Sequence, residues 1–486
     1  MTQLPDPLVD ASASALSRAV ADRTVSCVEV VTAHLDRMDE LESAYHALVS
    51  RRDRAEVIDE ARTRDRELAL GRVRGWLHGL PHAVKDLADA AGLPTTDGFL
   101  PVTEAPVPRE DEVFVRHLRE SGAVFVGKTN TPEFGLGSHT YNGLGPPTAN
   151  AVDPSRSAGG SSGGAAVAVA LGMVPVADGS DFMGSLRNPP GWNGVLGLRP
   201  TPGLVPTRDD SPFAVPCGVS GPIARDAEDL TRLFATMVGP HGDPSQRQRL
   251  APAAEDTPLP RRIGWLGDLD GYLAMEDDVV SVARAALDPW RAAGSSLADV
   301  SFVDGHGFCL ADDLWRTWLT VRHHEVGGSL APLHADDRLW ARMKPEARWE
   351  VEGYARLTVA ELDRAVARRR GLLRCLLDLF AEHDLLALPT AQVWPFPVDE
   401  HWPRSIAGRR MDTYHRWMEV TTVATLAGLP VLVVPGGVDH RGLPMGLQLM
   451  ARPGADWELL AWARGAQRAG VFTVAAPTVR SGAGRT

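Results

Sequence analysis

Residues 159–164 read Gly-Gly-Ser-Ser-Gly-Gly and run straight into Ala165-Ala166-Val167-Ala168-Val169-Ala170, within an uncharged stretch from Ser157 to Ala177. Glycine admits backbone conformations that other residues resist and lets N–H groups approach a ligand closely. A Gly/Ser run is ordinarily a flexible linker. This one opens onto an apolar segment that must pack, so it predicts a turn, a buried helix and then a strand. A further serine, Ser185, follows 24 positions after Ser161 in Gly184-Ser185-Leu186-Arg187-Asn188-Pro189. Upstream, Lys85 ends the short apolar run Leu80–Val84. Serines in glycine-rich turns suit acyl transfer, because a developing oxyanion needs donors already in place. The lysine makes an amine the candidate base.

Around these motifs the periodicity predicts helices over 11–20 and 28–38, and a charged, exposed helix over 51–70. Strands are expected at 80–84, 123–126 and 174–177, with helices at 111–120 and 163–171 between them. Such alternation indicates a parallel or mixed sheet covered by helices. Later, residues 277–293 and 359–382 read as long helices, the first interrupted at Pro289. The longest uncharged stretch is long enough to raise a membrane span, but glycine and serine fill its first half and Pro175 interrupts its end.

Two rival motifs fail on context. Gly160-Ser161-Ser162-Gly163-Gly164 contains Gly-x-Ser-x-Gly with Ser162 as nucleophile, but that elbow joins a strand to a helix, and Asp153–Ser157 reads as a loop. Gly122–Thr129 matches the Walker A letters, yet Ala123–Val126 is itself a strand where a pliable phosphate loop is needed. His323-His324-Glu325 lacks the His-Glu-x-x-His spacing that aims two ligands from one helical face. No metal, nucleotide or other cofactor is expected.

The chain resembles the amidase signature family of serine hydrolases over residues 10–475. The resemblance rests on the Lys85 segment, the Gly-Gly-Ser-Ser-Gly-Gly turn and Ser185, and on Val126–Phe134, Gly197–Gly203, Leu426–Pro430 and Pro444–Gln448. It implies an α/β fold: a single large domain with a central mixed twisted sheet covered by helices on both faces. Residues 1–70 would form a helical segment packed on a catalytic unit at 71–480, with a variable pocket region at about 240–420. It implies Ser185 as nucleophile, Ser161 as proton relay after a cis Gly160–Ser161 bond, and Lys85 as base, with Ser162 supporting by hydrogen bonding. Backbone N–H groups of Phe182, Met183, Gly184 and Ser185 would form the oxyanion hole, and an Asp181–Arg187 ion pair would brace it. Relatives usually carry a glycine pair where this chain has Met183-Gly184. The substrate pocket is expected to use Phe134, Gly135, Leu136 and Gly137, joined by Trp394 from a tryptophan-rich later half.

The expected reaction is hydrolysis of a medium-sized apolar or aryl amide through an acyl-enzyme, with carbamates and nylon-type oligomers within the family's range. The alternative is a glutamine-hydrolysing subunit of a tRNA-dependent amidotransferase. A net charge of −12 argues against nucleic-acid and anionic-membrane surfaces. Four scattered cysteines suggest a reducing compartment, and the first seven residues show no signal-peptide pattern. A cytoplasmic enzyme acting on a small molecule is expected, and a homodimer is compatible with the family.

Overall fold

The computed structural model describes residues 8–208, 216–239 and 259–474. The first seven residues, and the ends of the expected catalytic unit and variable region that fall on 475–480 and 240–258, lie outside them.

Near the N-terminus, helices Ala13–Ala21, Cys27–Tyr45 and Arg54–Ala69 form where the apolar spacing places them. Each start is fixed by a side chain that satisfies otherwise unpaired N–H groups. Ser26 and Glu29 cap each other reciprocally, and Asp53 accepts from Ala55 and Glu56. Because Asp53 caps the third helix, residues before it are free to form strand β1 (Leu48–Arg51). β1 pairs antiparallel with β3 (Val124–Thr129), which pairs parallel with β2 (Pro81–Lys85).

These three strands form a small sheet apart from the large one. The large sheet contains β4 (Val176–Asp181), β5 (Leu196–Arg199), β6 (Val219–Ala224), β7 (Arg262–Trp265), β8 (Ser296–Asp299), β9 (Leu385–Pro389), β12 (Val431–Val438) and β13 (Pro444–Met450). Its order is β4-β6-β5-β12-β13-β9-β7-β8. The β7 pairings are parallel and the others antiparallel, so the sheet is mixed. A minimal hairpin, β10 (Ser405–Ile406) with β11 (Arg409–Arg410), stands apart. β2 lies beside β4, and the Lys85 N–H donates to Asp178 Oδ2 at 3.1 Å. That contact brings the ends of two strands from different sheets together.

In the later half, helix Val359–Glu382 forms as expected, with a Thr358–Glu361 capping box. The single helix expected over 277–293 is instead two, Val279–Ala285 and Asp288–Ala292. Pro289, which has no N–H to donate, sits in the first turn of the second. No described helix is long and apolar enough to cross a membrane.

The Walker-like lysine belongs to this scaffold. Lys128 lies on β3, fully buried, and donates to the Ala88 carbonyl at 2.8 Å and to Thr95 Oγ1 at 3.1 Å. Asp86 is 3.5 Å from it and equally buried. Removing the cation strands a buried carboxylate, so Lys128→Ala is expected to cost ~3–5 kcal/mol, measured by urea unfolding. A loss of ATP affinity in place of a loss of stability would restore the nucleotide reading.

Candidate active site

Three chain segments converge: the end of β2, the start of helix Gly163–Ala170, and the turn after β4. Lys85, the last residue of β2, is 1% exposed. Its Nζ lies 2.8 Å from Ser161 Oγ, 2.9 Å from Ser162 Oγ and 2.9 Å from Ser180 Oγ. Burial pushes its pKa down to about 7, against the opposing charges of Asp178 and Asp181. The amine is therefore neutral in a large fraction of molecules near neutral pH. The carboxylate nearest it in the fold is Asp178, which also accepts from His82 Nε2 at 2.9 Å.

The Gly160–Ser161 peptide is cis. Ser162 is wholly buried, and its hydroxyl donates to the Ser180 carbonyl at 3.1 Å. Among the described residues no strand precedes Ser162, so the nucleophile-elbow geometry is absent there.

β4 ends at Asp181, whose carboxylate organises the next turn. It accepts from the Gly184 N–H at 2.9 Å and the Leu186 N–H at 3.0 Å. It also forms a two-point pair with Arg187, through Nε and Nη2 at 2.9 Å each, and meets Arg199 Nη1 at 3.1 Å. Burial opposes its ionisation, but Arg187 and Arg199 hold it well below the usual carboxylate range. Gly184 has φ of +93°, and a Cβ there would come within 2.9 Å of Thr421 Cγ2. Glycine is required at this point, whereas Met183 is not so confined.

Of the four expected oxyanion donors, Gly184 is already committed to Asp181. The N–H groups of Met183 and Ser185 have no acceptor among the described residues. No hydrogen bond joins Ser185 Oγ to Ser161 Oγ there.

Ser185 opens onto a cavity of about 20 Å³ lined by Gly135, Gly137, Ser138, Phe182, Met183, Ser185, Arg322, His415 and Met418. A Cβ on Gly135 would stand 3.4 Å from Ser161 Oγ, which places Ser161 just behind that wall. The expected wall is corrected in three places. Phe134 packs instead on Phe99, with ring centroids 4.8 Å apart. Leu136 is buried in a cluster with Phe99, Leu330 and Met343. Trp394 points elsewhere, its indole N–H donating to the Asp277 carbonyl at 3.1 Å. A larger groove of about 680 Å³ shares none of these residues and is lined by Asp268, Asp270, Glu276, Asp277, Asp278 and Asp299 among others. It holds neither serine nor lysine of the site.

Sequence reasoning missed Asp178, Ser180, Arg322, His415 and Met418. A β4 strand continued past Ala177 would have placed Asp178 and Ser180 on one face. The other three carry no motif.

The sequence model of the family described as Amidase matches residues 29–460. The chain is similar to an acylamidase of Rhodococcus erythropolis, 31% identical over 92% of each chain. It is also similar to the glutamyl-tRNA(Gln) amidotransferase amidase component of Thermus thermophilus, 34% identical over 91% of this chain and 93% of the relative. In three dimensions it resembles a bacterial aryl acylamidase of the amidase signature enzymes, with a TM-score of 0.85, 24% identity and coverage of 96% and 98%. A buried amine among serines, a mixed-sheet fold and a match spanning most of the sequence agree: the chain belongs to the amidase signature family of amide-hydrolysing enzymes.

Proposed function

We propose that the chain hydrolyses an uncharged carboxylic amide through Ser185, Ser161 and Lys85. The observation that carries this reading is the buried Lys85 amine 2.8 Å from Ser161 Oγ, with its pKa brought down to about 7. A serine hydroxyl is a weak nucleophile until a base takes its proton. In the proposed sequence Ser161 gives its proton to Lys85 Nζ and takes the proton of Ser185. Ser185 Oγ then attacks the amide carbon, and the oxyanion accepts from the Met183 and Ser185 N–H groups. The proton returns through Ser161 to the departing amine as the C–N bond breaks, leaving an acyl ester on Ser185. Water, deprotonated by the same relay, releases the acid. The absent Ser161–Ser185 hydrogen bond fits a free enzyme, since such contacts commonly tighten with substrate in place. Asp181 and Arg187 hold the turn.

Phe182, Met183 and Met418 give the cavity apolar walls, and no carboxylate lines it. Glutamine would bring an ammonium with no acidic partner, which favours a stand-alone amidase over a component of an amidotransferase. The 20 Å³ cavity has room for little more than a water, so Met183 and Met418, both flexible side chains, must repack to admit an acyl group. The four cysteines are all free, in keeping with a reducing cytoplasm.

The test is the purified chain assayed alone against glutamine, a p-nitroanilide and simple primary amides. Turnover of neutral amides without glutaminase activity is expected. Glutamine as the sole substrate would restore the amidotransferase reading.

A further inference from the structure

Two side chains in the wall around Ser185 have polar atoms that the protein leaves unused. His415 is 1% exposed, and neither ring nitrogen has a hydrogen-bond partner among the described residues. Its ring is caged by Trp315, Trp349 and Tyr414, with centroids at 5.2, 5.8 and 4.5 Å. Burial, and then the nearby Arg322 charge, push its pKa well below 6.5, so the imidazole is neutral. A neutral imidazole offers one N–H donor and one acceptor. Burying both unsatisfied is costly, so a partner is expected to arrive with the ligand.

Arg322, at the end of helix Leu310–Arg322, is 4% exposed. It donates from Nε to Glu350 Oε1 and from Nη2 to Tyr414 Oη, both at 2.5 Å. Its Nη1 has no acceptor among the described residues. Burial opposes the ionisation of Glu350, but Arg322 holds it down to about 2. The guanidinium is thus already balanced by a buried carboxylate, and the wall it shares with His415 is electrically neutral overall. It is rich in donors and holds no free charge to receive an anion.

The acyl group stays on Ser185 after the leaving group departs, so the groups enclosing Ser185 are those that meet it. We propose that Arg322 Nη1 and His415 form a subsite for a second, uncharged acceptor on the acyl portion, and that the preferred substrates are amides whose acyl chain carries a further carbonyl. This rests on the amidase reading above. Both residues are specificity determinants here, outside the proton relay. Sites built to hydrogen-bond a substrate group discriminate strongly against analogues lacking it, because their own polar atoms are then left unpaired.

The test compares three series of primary amides on the wild-type enzyme: propanamide to hexanamide, their oxo analogues with the ketone at each position, and the matching chains ending in a carboxylate. One oxo position should exceed its parent by about tenfold or more in kcat/KM, and the carboxylates should fall below the parents. In His415→Phe the oxo-to-parent ratio should fall to about one, and His415→Gln, which keeps a donor and an acceptor, should recover most of it. A structural role would lower both substrates together and leave the ratio intact. Hydrolysis of oxo and parent amides at equal rates overturns the subsite while the amidase stands. Preference for the carboxylates overturns the neutral-acceptor assignment. No turnover of any amide, with Ser185 unlabelled by a fluorophosphonate, overturns both readings.

Discussion

Ser185→Ala is expected to abolish amide hydrolysis, with a loss of ~10⁴-fold or more in kcat. The covalent route runs through this hydroxyl, and no neighbour stands where it does. Ser185 faces the cavity, next to the unengaged N–H of Met183. Ser161→Ala should be severely impaired, because it breaks the 2.8 Å link from Lys85 to the nucleophile. Ser162→Ala should be the mildest of the three. Its hydroxyl is one of several around Lys85 Nζ, with Ser180 Oγ at the same 2.9 Å, and losing one such bond costs ~1 kcal/mol or slightly more. A fluorophosphonate should leave its mass on the peptide containing Ser185. Label on Ser162, in a Ser185→Ala variant that still turns over, would overturn the assignment.

Lys85→Ala should lose nearly all activity while remaining folded, since alanine fills the strand position without leaving a charge unpaired. In the wild type, the working form is the neutral amine. With a pKa near 7, the rate should rise as pH increases through that value and level off above it. At one pH unit below, only ~10% of the amine is unprotonated. A kcat/KM profile flat from pH 5.5 to 8.5, or wild-type turnover by the alanine variant, would remove the lysine from the mechanism.

Much of this site was legible because its residues sit in segments of extreme composition. The glycine run and the apolar stretch behind it could only be a turn and a buried helix, and Lys85 stood at the end of an apolar strand. Helix starts at Ser26 and Thr358 were written in reciprocal Ser/Thr–Glu caps. The failures share a cause. β4 runs beyond Ala177, the end its apolar residues predict, because Asp178 and Asp181 carry charges that ordinarily end a buried strand. Both are compensated from elsewhere, Asp178 by the His82 hydrogen bond and Asp181 by Arg187 and Arg199. Arg322 and His415 come from segments far apart in the chain, and their burial beside Ser185 is a property of the assembled fold alone. Trp394 had the right composition for a pocket wall, but its indole N–H found a backbone acceptor outside it.

The Asp181 clamp has a consequence for the birth of the enzyme. Arg187 grips Asp181 with one edge, and with the other it donates to the Thr421 carbonyl, Thr425 Oγ1 and Gln448 Oε1, partners 234 to 261 residues further along. β4 likewise joins β12 and β13 only through β6 and β5. Contacts of such long sequence separation form late, and a chain emerging from the ribosome presents its N-terminal parts first. The nascent polypeptide therefore carries all three serines and the lysine for more than half of its synthesis without a finished nucleophile turn. Catalytic competence should switch on abruptly, when β13 emerges from the exit tunnel.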